Sequence, residues 1–143
     1  MTLTRHQIQV IAGLALGHRT HHIAVQLGLS DAALKSRIAY TAHRLNVHGL
    51  IHPQLVHHAY AHGYLTTPAP PDTPLTSLPM RQAQSLAALT RGLSVERTAA
   101  ELGIAYDTAN TQRRFLYRRL EAHTGAQAVA LGWLHGLLGG ETT

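Results

Sequence analysis

Basic and amide side chains are concentrated in two short stretches of the sequence, residues 35–44 and 110–119. The first stretch holds Lys35, Arg37 and Arg44, and the second begins with Asn110 and continues with arginine at positions 113, 114, 118 and 119. Lysine and arginine neutralise phosphate groups, an arginine fork can pair with guanine, and asparagine can pair with adenine. These residue types therefore favour a polyanionic partner, with nucleic acid ahead of a membrane surface.

The two stretches occupy equivalent places in an internal repeat. Residues Leu3–Tyr60 align with Leu78–His135 at a constant offset of 75 without a gap, and the identities fall on apolar positions and on glycines such as Gly28 and Gly103. A unit of this length, present twice, does not fit a solenoid and is typical of two copies of one small domain. We expect residues 1–65 to form the first domain, residues 66–77 a proline-rich linker and residues 78–143 the second domain.

Each copy has the pattern of four helices and no strand, so the predicted fold class is all-α. The sequences Thr4–Gln7 and Thr124–Gln127 predict capping boxes that begin the first and last helices. In the middle of each copy, a short helix, a Leu-Gly turn and a longer helix form the pattern of a helix-turn-helix unit. Two aligned occurrences in a basic chain make this interpretation stronger than one would.

Ordered motifs in both copies resemble the four-helix DNA-binding domain of the LuxR/GerE regulators, including those at the end of NarL-type response regulators. The first copy matches through the residues Leu3, Thr4, Gly17, Ile23, Ala24, Leu27, Gly28, Ser30, Lys35 and Leu45. The second copy matches through the residues Leu78, Gly92, Ser94, Ala99, Leu102, Gly103, Thr108, Leu120 and Ala126–Val129. It departs from the family at Ala105, where a serine usually caps the third helix, which leaves Asp107 as a substitute cap.

The resemblance implies which residues contact DNA. By position, the base-reading residues are Lys35, Ser36, Ala39, Asn110, Thr111 and Arg114. Arg44, Arg113, Arg118 and Arg119 are expected to clamp phosphates, while Arg37 suits either task. These assignments predict a sequence-specific, double-stranded DNA-binding regulator of transcription whose site is asymmetric or pseudo-palindromic.

Several alternatives stay open at this point. The fourth helix commonly mediates dimerisation in the family, so the apolar stripes of the two fourth helices predict an intramolecular pair, a homodimer or a docking surface for RNA polymerase or another regulator. Burial of both stripes in the core is the remaining interpretation. Those stripes consist of Leu55, Val56, Ala59, Val129, Leu131 and Leu134. An adaptor in which only the second domain, or neither, reads DNA is the main alternative. An architectural protein that binds DNA without sequence preference is the third.

Composition narrows the remaining possibilities. The chain has 143 residues, 12 Lys and Arg against 7 Asp and Glu, and no cysteine. It contains no phosphate-binding glycine loop, nucleophile elbow or metalloprotease motif, so we expect neither an enzyme nor a cofactor. The first 65 residues contain ten of the 12 histidines but only Asp31 as an acid, and we expect no physiological metal site. We also expect no membrane segment and a cytoplasmic, nucleoid-associated bacterial protein.

Overall fold

Eight helices account for all regular secondary structure in the described part of the chain. The computed structural model describes residues 2–67, 71–72, 75 and 77–139, so much of the predicted linker (68–70, 73–74 and 76) lies outside the described residues. The helices are α1 (Arg5–Ala15), α2 (Thr20–Leu27), α3 (Asp31–Leu45), α4 (Ile51–Ala61), α5 (Met80–Thr90), α6 (Val95–Leu102), α7 (Tyr106–Leu120) and α8 (Gly125–Leu134). The all-α prediction is confirmed, and the bounds of α1 to α3 recur in α5 to α7 at the repeat offset of 75.

The ends of the helices show why these segments form where they do. The capping box at α1 is confirmed: Thr4 Oγ1 accepts from Gln7 N at 3.1 Å, and Gln7 Oε1 accepts from Thr4 N at 2.8 Å. At α8 only half of the predicted box forms, because Gln127 Oε1 accepts from His123 N rather than from Thr124 N. Asp107 does not replace the missing cap of α7, whose N-cap is Ala105 without a side-chain hydrogen bond.

One hydrophobic core extends through both sets of four helices. Helix α4 packs directly against α8, and Leu55, Val56 and Val129 are each at most 1% exposed. The apolar stripe of α4 is therefore covered within the chain, as is the part of the α8 stripe at Val129. Both residues next to it in the core, Ala128 and Ala130, are buried as well. The buried residues of these stripes are therefore not available to a homodimer through the fourth helix, whereas Leu131 and Leu134 are half-buried.

Polar contacts reinforce the boundary between α1–α4 and α5–α8, which we call the seam. Leu50 N donates to Gly92 O at 2.9 Å, and Trp133 Nε1 donates to His57 Nδ1 at 3.1 Å. The indole of Trp133 also stacks on Tyr60, with ring centroids 5.8 Å apart and planes 15° apart. The two halves are thus held by direct contact as well as by the chain that joins them.

The seam is reciprocal. The turn after α1 meets α8, where a Cβ on Gly17 would lie 2.6 Å from Gln127 Oε1, and the turn after α5 meets α4, where a Cβ on Gly92 would overlap Gln54. Correspondingly, α1 contacts α8 and α5 contacts α4. Such an exchange of equivalent contacts is the pattern of a two-fold interface. The halves therefore pair as two subunits of a dimer would.

Candidate nucleic-acid interface

Left-handed glycines form the turn of each helix-turn-helix unit. Gly28 (φ 69°) ends α2 and Gly103 (φ 67°) ends α6, a conformation that side chains resist. The next residue then donates back into the helix, from Leu29 N to Ala24 O at 2.9 Å in the first unit. In each unit the chain leaves this turn into the longer helix, α3 or α7. These two helices carry all the sequence-predicted contact residues.

Helix α3 presents its predicted residues to solvent. Lys35, Ser36 and Ala39 are exposed and neighbour one another at i, i+1 and i+4, while Leu34 and Ile38 point into the core. Arg37 is also exposed, and its Nη1 lies 3.2 Å from His6 Nδ1 on α1. The structure therefore brings the predicted base readers together on one open face. Arg44 lies in the last turn of the helix, also exposed.

Helix α7 presents a more basic face. Arg114, Arg118 and Arg119 are exposed, whereas Asn110 and Thr111 are half-buried. The guanidinium of Arg118 lies 5.8 Å from the ring centroid of Phe115, and Arg119 Nε donates to Gln82 Oε1 at 2.9 Å. The ring contact directs Arg118 along its own helix, and the hydrogen bond directs Arg119 towards α5. Their arrangement suits contact with a phosphate backbone beside the helix.

Arg113 corrects the sequence-based assignment. Its side chain is buried at 6% exposure, and its Nε donates to Ser85 Oγ at 2.8 Å. Its Nη2 donates to Thr98 Oγ1 at 3.0 Å and to Leu93 O at 3.3 Å. Burial lowers the pKa of Arg113, although Tyr117 opposes the shift. The predicted phosphate contact is wrong for this residue, because the guanidinium is used inside the protein to join α5, α6 and α7.

Two acidic side chains near the helix-turn-helix units pair with neighbouring residues. In the first half the carboxylate of Asp31 lies 2.9 Å from His21 Nδ1. In the second half Glu101 binds Arg91 through two contacts of 2.8 Å, which raises the pKa of Arg91 and lowers that of Glu101. Neither pair involves a predicted contact residue. In each half, one acid is thus engaged by a residue outside the predicted contacts.

Two exposed aromatic residues were not among the predicted contacts. Tyr40 is 56% exposed and Phe115 is 39% exposed, and they occupy equivalent positions on α3 and α7. In the sequence they are one of the conservative pairs of the repeat. Each directly follows a predicted base-reading residue, and this position could have identified both as candidate contacts. An apolar ring at this position can contact a thymine methyl group in the major groove. We therefore add Tyr40 and Phe115 to the candidate interface.

The histidines do not form a metal centre in the described part of the chain, where no three of His, Asp and Glu converge. His58 and His62, at a spacing that a metal could use, instead stack with ring centroids 4.0 Å apart. Among the described helices, none is long and apolar enough to span a bilayer.

Comparison with known proteins agrees with the helix-turn-helix geometry of the first half. No curated protein and no solved structure matches the chain. A family of DNA-binding regulators does match, over α1 to α3 and most of α4, and the second half is not part of that match. Residues 1–59 of this chain match GerE, the luxR family of bacterial regulatory proteins.

Proposed function

We propose that this protein is a sequence-specific regulator of transcription that reads double-stranded DNA with two helix-turn-helix units, residues 1–65 and 78–143. The family match supports the first unit. Support for the second unit comes from the repeat and from helix bounds that recur at the same offset. The observation that carries the proposal is the packing of α4 against α8, which joins the two helix-turn-helix halves through one core.

The two reading helices carry different side chains, so the DNA site is asymmetric within a two-fold arrangement. Helix α3 offers the ammonium of Lys35 and the hydroxyl of Ser36, whereas α7 offers the amide of Asn110 and the guanidinium of Arg114. Arginine suits guanine and asparagine suits adenine, so the second half-site should be the better defined. Arg44, Arg118 and Arg119 add phosphate contacts, which give affinity and register. On this proposal the protein acts in the cytoplasm, at the nucleoid.

Sequencing of genomic fragments bound by the purified protein tests this function. The wild type is compared with Lys35→Ala/Arg37→Ala and with Asn110→Ala/Arg114→Ala, and Arg91→Gln serves as a matched control because Arg91 is paired with Glu101. We expect two unlike half-motifs, each lost with its own double variant and both kept in the control. A single motif that depends only on α7 would make the first unit an adaptor for RNA polymerase or another regulator. The absence of any enriched motif would overturn the proposal.

A further inference from the structure

A cavity of about 510 Å³ lies between the two halves, within the size range of sites for small molecules. Its walls come from the ends of α1 and α5, the beginnings of α4 and α8, and α7. Four pairs of residues at the repeat offset line it, namely Leu14 with Leu89, Gly49 with Thr124, Leu50 with Gly125, and Ile51 with Ala126. Because equivalent residues of both halves line it, the cavity lies on the approximate two-fold axis that relates the halves. Neither half could form it alone.

The polar side chains that line this seam cavity differ between the two halves. His18, His52 and Tyr117 line it, and no acidic side chain does so within the described residues. Burial lowers the pKa of His52 and raises that of Tyr117, so both are neutral at neutral pH. The Nδ1 of His18 is buried without a hydrogen-bond partner among the described residues. An anion would be the complementary guest, since it can draw a proton onto His52 and leave a charge-assisted hydrogen bond.

The apolar walls of the cavity favour a ligand that is apolar apart from its anionic group. Most of the lining is apolar and includes Leu14, Leu50, Ile51 and Leu89, and a purely polar ion such as phosphate would lose its hydration against it. We propose that the seam cavity binds a small carboxylic acid with a compact apolar body, whose carboxylate meets His52 and whose body packs between Leu14 and Leu89.

This site would be coupled to the reading helix of the first half. Ile51 and His52 also line a neighbouring cavity of about 430 Å³, together with Lys35 and Ala39 on α3 and Asp31 at its start. A carboxylate that charges His52 would add a cation beside Lys35 and Asp31. This consequence rests on the proposed function, whereas binding of the acid does not.

Nuclear magnetic resonance titration of the whole protein, without DNA, tests the binding. Benzoate is the probe, and benzamide is the matched neutral control of the same shape. We expect saturable shifts of the Gly49 and Gly125 amides, which lie in the cavity wall, with benzoate bound at least about tenfold more tightly than benzamide because the ionic hydrogen bond is lost in the amide.

Two variants complete the design. His52→Gln installs the residue that the second half has at the equivalent position, Gln127, and should weaken benzoate binding about tenfold while the benzamide affinity stays unchanged. His43→Gln alters an exposed imidazole on α3 that does not line the cavity and should leave both affinities unchanged. Absence of saturable shifts at the cavity, equal affinity for the two probes, or shifts confined to the arginines of α7 would each overturn the proposal. None of these outcomes depends on whether the protein binds DNA.

Discussion

Arg113 Nε donates a 2.8 Å hydrogen bond to Ser85 Oγ, and both residues are buried, at 6% and 2% exposure. The same guanidinium donates to Thr98 Oγ1 at 3.0 Å. At the repeat offset, the first half has three buried apolar residues in these places, Val10, Ile23 and Ile38. The junction of the first three helices is therefore apolar in one half and polar in the other, with the same helix bounds.

Removing the arginine should destabilise the protein strongly. Arg113→Ala leaves a cavity and two hydroxyl groups without their donor, so we expect the free energy of unfolding to fall by about 2–4 kcal/mol. The triple variant Ser85→Val/Thr98→Val/Arg113→Ile should recover most of this loss, because it rebuilds the apolar junction of the first half. Urea unfolding followed by circular dichroism measures both.

The choice of valine at position 98 follows from the structure. In the first half, a Cβ on Gly13 would lie 2.8 Å from Ile23 Cγ1, and the second half has Ala88 where the first has Gly13. Isoleucine at position 98 would therefore be crowded by Ala88, whereas valine keeps the shape of threonine. If the triple variant were no more stable than Arg113→Ala, the two junctions would not be interchangeable.

Alanine substitutions at two glycines distinguish the cost of disturbing the seam from the cost of backbone strain. Gly92 (φ 77°) and Gly103 (φ 67°) share a left-handed conformation, but a Cβ on Gly92 would overlap Gln54 across the seam and a Cβ on Gly103 meets nothing within 4 Å. Gly103→Ala should cost about 1 kcal/mol, the strain of alanine in this conformation. Gly92→Ala should cost about 1–3 kcal/mol more, as overpacking does. Equal losses in thermal unfolding would mean that the seam is loose in solution.

Local patterns predicted the helices well, since caps such as Ser30 and end glycines such as Gly28 act within a few residues. The site was less predictable, because the direction of a side chain depends on the partners that it finds. Arg113 and Arg114 are neighbours in sequence, yet one enters the core and the other faces solvent. The signal was available in the repeat: Arg113 aligns with Ile38, a core position, and Ser85 aligns with Val10. The sequence predicted the apolar stripes of α4 and α8, but it did not decide whether they would pack against each other or against a partner.

Acid should destabilise the fold through two histidines. Burial lowers the pKa of His52 and of His58 below the ordinary value of 6.5, and His62 and His57 lower that of His58 further. Below pH 6.5 the unfolded chain therefore binds more protons at these histidines than the folded chain does. The free energy of unfolding should be constant well above pH 6.5 and fall as the pH drops through 6.5 towards the lower folded pKa values. Urea unfolding at several pH values, followed by the fluorescence of Trp133, measures this dependence.

Histidine variants show which side chains cause the loss of stability in acid. His52→Gln and His58→Gln should each flatten the pH profile, and His123→Gln, an exposed control, should leave it unchanged. Glu101 does not interfere in this window, because Arg91 lowers its pKa and its contribution is lost only below the ordinary value of 4.5. A profile that stays flat from neutral pH down to that value in the wild type would contradict the assignment.

Phosphate contacts should be countable from the salt dependence of DNA binding. Each cation that neutralises a phosphate contributes about −0.9 to the slope of log affinity against log salt concentration. Arg44→Gln and Arg118→Gln should therefore each make the slope shallower by about 0.9, without changing the preferred sequence. Arg91→Gln should leave the slope unchanged, since Glu101 already pairs with that guanidinium. Fluorescence anisotropy at several salt concentrations gives the slopes, and an unaltered slope for Arg118→Gln would exclude it from the phosphate contacts.

The seam should make the protein intolerant of changes in half-site spacing. Because α4 and α8 pack together and Leu50 N donates to Gly92 O across the halves, we expect α3 and α7 to keep a fixed separation. Insertion of five base pairs between the half-motifs turns one of them by about half a helical turn, so the affinity should fall to that of a single half-site. Six glycine and serine residues inserted between Pro71 and Asp72 should leave both the affinity and the spacing preference unchanged. If the longer chain instead tolerated the altered spacing, the linker would set the distance between the reading helices, and the halves would separate on DNA.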